Sequence, residues 1–158
     1  YAQGEGHYYL GRSYRLRLIG DTSPETPPLR LYQGRWQLRA DRRDEAAMHF
    51  QAWYVCHGQP YLERRVERFA QKLEVTPADV TVRSLGYRWG SCSPGGTLNF
   101  HWRTVLLPAR LVDYVVVHEM AHLHEPNHSD AFWTRVERAM PDYERRKQEL
   151  SEEGGTYF

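Results

Sequence analysis

Apolar and polar positions alternate in Tyr14-Arg15-Leu16-Arg17-Leu18, the period of a half-buried strand. A turn-rich break follows at Asp21-Thr22-Ser23-Pro24-Glu25-Thr26-Pro27-Pro28. Residues 29–32 and 35–39 then read as a hairpin around Gln33-Gly34. From Asp41 the period becomes helical. Met48, Trp53, Tyr54, Leu62, Val66, Phe69 and Leu73 recur three to four apart, and Gly58-Gln59-Pro60 predicts a break or kink. Two helical pieces, or one bent helix, should end near Glu74. Residues 80–85 predict a strand, and Gly86-Tyr87-Arg88-Trp89-Gly90-Ser91-Cys92 leads through Ser93-Pro94-Gly95-Gly96 into another over 97–102. Pro108 suits the first turn of a helix that carries Leu111, Val115, His118 and His122 and stops before Pro126. Ser129 is the expected N-cap of the next helix, with Phe132, Trp133 and Val136, and Pro141 opens a short last one. The pattern predicts an α+β fold: a small antiparallel sheet packed against helices. Residues 1–158 are expected to form one domain, strand-rich over 1–40, helical over 41–158 and with the candidate chemistry in that second part.

Composition narrows this picture. The chain has 158 residues, 41% hydrophobic and 26% charged, as in an ordinary globular protein. No apolar run approaches the roughly 20 residues that cross a bilayer, so no membrane partner is expected. Nothing at the start resembles a signal peptide, and two cysteines, Cys56 and Cys92, are too few for a disulfide framework; a reducing cytoplasm is the expected location. The first residue is Tyr1 rather than Met, so the natural beginning is expected upstream. A net charge of +1 gives no global case for nucleic acid. Arg12, Arg15, Arg17, Arg30, Arg35, Arg39, Arg42 and Arg43 are expected on the solvated side of alternating strands; if they cluster, the ligand would be nucleic acid or a polyphosphate.

The candidate chemistry lies in His118-Glu119-Met120-Ala121-His122, an H-E-x-x-H sequence. On a helix, positions four apart share a face, so both imidazoles can reach one ion. Zn2+ prefers such nitrogen donors in tetrahedral geometry, and three protein donors leave a fourth position for water. Zinc lowers the pKa of that water towards about 7, and Glu119 stands where a carboxylate could take its proton. A buried helix with two structural histidines is the bland alternative. The apolar run Tyr114-Val115-Val116-Val117 before the motif argues for a packed, rigid support instead. For the third donor, His128 follows His122 by six residues, the separation in the longer H-E-x-x-H-x-x-G-x-x-H sequence, with Glu125 in place of its glycine. His124 points to another face, and Glu125 and Glu137 are weaker rivals. Manganese or nickel would also accept imidazoles.

With these residues in place, the chain resembles the YgjP-like metallopeptidase family, relatives of the SprT-like and WLM zinc proteases. The resemblance rests on Arg88-Trp89-Gly90-Ser91-Cys92-Ser93, on Leu98-Asn99-Phe100-His101-Trp102-Arg103 and on Asp113-Tyr114-Val115-Val116-Val117-His118-Glu119. It continues through His122-Leu123, Asn127-His128-Ser129, Phe132-Trp133 and Pro141-Asp142-Tyr143. It implies a zincin-like fold with His118, His122 and His128 as metal ligands, Glu119 as the catalytic carboxylate and a peptide or protein as substrate. It also implies a strand-rich segment upstream of Tyr1, and that either residues 87–93 or 98–103 border the cleft.

The remaining candidates have ordinary readings. Trp89, Trp102 and Trp133 could line a pocket but are more often core. Arg88 and Arg103 could bind a carboxylate or an oxyanion, though surface ion pairing is the commoner fate. Cys92 is expected to be a buried structural thiol. The leading expectation is a zinc metallopeptidase hydrolysing amide bonds. The alternatives are a metal-dependent hydrolase of nucleotides or phosphate esters, of the nucleoside triphosphate pyrophosphohydrolase type, and a nucleic-acid-associated protein with structural zinc. The intact Glu119 disfavours the last, because a structural site has no use for an unligated carboxylate.

Overall fold

The computed structural model describes residues 1–20 and 23–158; Asp21 and Thr22 of the turn-rich break lie outside the described residues. Strands β1 (Gly6–Tyr9) and β2 (Arg12–Ile19) pair antiparallel, as do β3 (Leu29–Tyr32) and β4 (Arg35–Arg39). Both hairpins turn on two residues with positive φ, Leu10 (50°) with Gly11 (83°) and Gln33 (50°) with Gly34 (77°). That is the backbone whose twist matches the flanking strands. The four strands form one sheet in the order β1-β2-β4-β3, with β2 and β4 parallel. Leu16, Leu29, Trp36 and Leu38 face inward and are buried. They meet Phe50 and Tyr54 of the long helix α1 (Ala46–Leu73).

A second sheet, β5 (Asp79–Arg83), β7 (Thr97–His101) and β6 (Gly90–Cys92), has β7 in the centre, parallel to β5 and antiparallel to β6. The α+β class is as expected, but each sheet is mixed where an antiparallel one was expected. In both, the intervening strand forms a hairpin with its successor and returns the chain to pair parallel with an earlier strand, a long-range choice that local periodicity does not encode.

Helix α1 is continuous through Pro60, so of the two expected forms, two helical pieces or one bent helix, the first is excluded. Tertiary packing holds it: a Cβ on Gly58 would come within 3.3 Å of Val105, and the Gln59 amide donates to the Val80 carbonyl at 2.7 Å. Its end is capped at Glu74 in the left-handed region (φ 56°), with His124 Nε2 within hydrogen-bonding distance of the Leu73 and Glu74 carbonyls.

Helix α2 (Ala109–Ala121) crosses the core, with Leu111, Val112, Val116, Val117 and Met120 fully buried. Burial on several sides explains a β-branched run that helix propensity alone disfavours. Pro108 is its N-cap rather than its first-turn residue. Leu10 and Gly11 donate to the Val105 and Leu106 carbonyls, docking the first hairpin beside that start. Arg65 of α1 clasps Asp113 of α2 through two bonds of 2.7 and 2.8 Å. Ser129 caps helix α3 (Asp130–Ala139) through the Phe132 N–H, and helix α4 (Tyr143–Glu153) packs against α2. No helix among the described residues is long and apolar enough to cross a membrane.

Candidate metal centre and cleft

The last turn of α2 carries His118, and His122 is its C-cap; the loop before α3 returns His128 to the same place. Donor atoms of the three imidazoles all lie within 4.8 Å of one another. Nε2 of His118 and Nε2 of His128 are 3.2 Å apart. Two nitrogens held tetrahedrally at zinc distances would stand about 3.3 Å apart, so the spacing fits one shared cation. His122 Nδ1 lies 2.9 Å from the Glu125 carbonyl, and a proton donated there leaves Nε2 with its lone pair. His118 Nδ1 is buried without a hydrogen-bond partner, so packing against Tyr114, Phe132 and Trp133 orients that ring.

Electrostatics favour neutral donors. Burial pushes the His118 pKa down to about 4, helped by His122, His128 and the Lys147 ammonium. His128 is lowered for the same kinds of reason. Glu119 is 8% exposed, and burial pushes its pKa up to about 7 against the opposing pull of Arg88. Tyr114, one turn before His118 and also buried, is pushed up to about 12 by burial and by the Glu119 charge.

His118 and Glu119 sit at the junction of two hollows. One, of about 580 Å³, is walled by Trp89, Tyr114, Leu150 and Phe158, with Lys147 at its side. The other, of about 660 Å³, runs past Ser91, Cys92, Leu123 and His128. Arg88 and Gly90 line both. Strand β6 is therefore the border, from within residues 87–93. The alternative border over 98–103 is excluded because β7 is the central strand.

The other candidates disperse. Glu137 is not among the clustered donors, Glu125 pairs with Arg135 at 3.5 Å, and His124 serves the end of α1. Arg103 stacks over Trp102 and Phe158, and Trp102 stacks on Tyr54 away from the cleft. Trp89 lines the cleft, whereas Trp133 packs beside His118 and His128. Cys92 is half-buried and its pKa is raised by burial and by Glu119. Sequence reasoning missed Tyr114, Lys147 and the role of Gly90. Helical spacing from His118 could have found Tyr114; nothing local marks Lys147.

A cleft between an edge strand and a helix that carries paired histidines beside a buried glutamate defines a zincin-like metallopeptidase fold. Two solved structures share it. The metallopeptidase zymogen of Pyrococcus abyssi abylysin is 28% identical, with a TM-score of 0.50 over 55% of this chain and 86% of that one. The metallopeptidase zymogen of Methanocaldococcus jannaschii jannalysin is 15% identical, with a TM-score of 0.51 over 58% and 94%, and shows the fold alone. No curated protein matches the chain. The model of the YgjP-like family, metallopeptidase domain, matches residues 1–153, and the chain belongs to that family.

Proposed function

We propose that the chain is a zinc-dependent peptidase in which His118, His122 and His128 hold the metal and Glu119 is the general base. The observation that carries this reading is the convergence of three imidazoles within 4.8 Å, next to a buried carboxylate at the junction of the cleft. Zinc bound there would polarise the scissile carbonyl and make water a better nucleophile at neutral pH. Glu119 accepts the proton of the attacking water and delivers it to the departing amine, the general base and then the general acid of the reaction. The outer edge of β6 offers backbone donors and acceptors to an extended peptide, which would add as a further strand. The absence of a side chain at Gly90 leaves room for the Glu119 carboxylate against β6, and Arg88, which lines both hollows, offers a guanidinium to the substrate.

Zinc-loaded protein should cleave an unfolded protein such as reduced casein, with new termini detected by mass spectrometry. Glu119→Gln should retain zinc and lose about 100- to 10,000-fold in rate. Turnover of nucleoside triphosphates alone, abolished in Glu119→Gln, would replace the peptidase reading with nucleotide hydrolysis.

A further inference from the structure

Charge is distributed unevenly along this nearly neutral chain. The first 43 residues hold eight arginines against four carboxylates. Strands β1 to β4 contain six arginines and no aspartate or glutamate. Register decides where these side chains go. Arg17 is level with Gln37, and Gln37 with Arg30, in one row across β2, β4 and β3; Arg35 is level with Tyr32 in the next, and Arg15 stands two residues before Arg17 on the same face. Arg39 lies two residues beyond Gln37. All are on the face opposite Leu16, Trp36 and Leu38, which pack on α1.

Five guanidinium groups thus share the outer face of one sheet. Arg39 is paired with Asp41 at 2.7 Å, whereas Arg15, Arg17, Arg30 and Arg35 have no carboxylate partner among the described residues. Neighbouring strands are about 4.8 Å apart and alternate residues of a strand about 6.7 Å apart, so like charges crowd together at some cost to the sheet. The face also carries an exposed aromatic, Tyr32 (45% exposed), with the Arg30 guanidinium 4.4 Å from its ring centroid. None of these residues lines either hollow of the cleft.

We propose that this outer face binds single-stranded nucleic acid, the arginines holding phosphates and Tyr32 with Arg30 offering a stacking platform for a base. A face with four guanidinium groups free of carboxylate partners among the described residues, beside an exposed ring, matches a flexible polyanion that carries its own aromatic faces. A lipid surface or a sulfated polysaccharide would use the charge but not the ring.

Fluorescence anisotropy of the full chain with a labelled oligonucleotide of about 20 nucleotides tests this across a salt series. Binding should weaken with salt, each phosphate neutralised adding about 0.7 to the slope of log K against log salt. Arg15→Gln with Arg17→Gln should reduce that slope by about 1.4, and Arg15→Lys with Arg17→Lys should preserve it. Tyr32→Ser should weaken oligonucleotide binding about tenfold and leave heparin binding unchanged. Peptidase activity should be unaffected in all these variants, whose folding is checked by thermal melts. Absence of binding at about 50 mM salt, a slope indifferent to the double glutamine variant, or tighter binding to duplex, heparin or anionic vesicles would overturn the proposal.

Discussion

A Cβ on Gly90 would lie 2.9 Å from Cγ of Glu119 and 3.2 Å from its Oε2, closer than packed atoms allow. Glycine is therefore required at this position by its neighbour and not by its backbone, whose φ is not positive. Gly90→Ala should displace the carboxylate and reduce kcat/KM about 100-fold, the usual effect of a misplaced reacting group. Zinc content should be unchanged. Full activity in a correctly folded Gly90→Ala protein would show that Glu119 has more freedom than this contact permits.

Glu119 and His118 drive opposite pH responses in metal-free protein. The Glu119 pKa is raised to about 7, so the folded state keeps this proton when the unfolded chain has released it; the stabilisation is complete below about pH 4.5 and is lost as pH rises through 7. That is about 3 kcal/mol. His118 is lowered to about 4 from 6.5, so the unfolded chain binds its proton first and stability rises with pH between those values. The two contributions offset between about pH 4.5 and 6.5. Urea unfolding after chelation should therefore be nearly flat across that interval and decline towards pH 7. In Glu119→Gln, stability should instead climb from about pH 4 to 6.5 and then level off. Parallel profiles for the two proteins would refute this assignment.

Replacing donors should separate the histidines. His118→Ala and His128→Ala should each weaken zinc binding by more than the 10- to 100-fold typical of an outer-shell loss, measured by titration against a chelating dye. His124→Ala should keep zinc, because its imidazole serves the Leu73 and Glu74 carbonyls, and lose about 1 kcal/mol of stability instead.

The Arg65–Asp113 clasp holds α2 against α1, about one and a half turns before His118 and about two and a half before His122. Asp113→Asn should lower unfolding stability by about 2 kcal/mol while leaving kcat per folded molecule intact. A selective fall in kcat without destabilisation would give Asp113 a part in the chemistry.

Features decided within a few residues were legible in the sequence: the Gln33-Gly34 turn, the Ser129 cap, and the histidine spacing that faces one side of α2. What was not legible depends on distant partners. The parallel pairing of β2 with β4 and of β5 with β7 reverses no local signal, yet no local signal requires it. Pro60 breaks helices on its own terms, but here the packing of Gly58 against Val105 and the Gln59 bond to Val80 prevail. Lys147 approaches His118 and Trp133 only because α4 folds back over α2.

The return of the chain from α2 to α3 is pinned at both ends: the Glu125 carbonyl engages His122, the Ser129 hydroxyl takes the Phe132 amide, and the Phe132 ring touches all three imidazoles. A socket so braced loses little freedom when an ion enters. Capture of the ion should thus need no folding step.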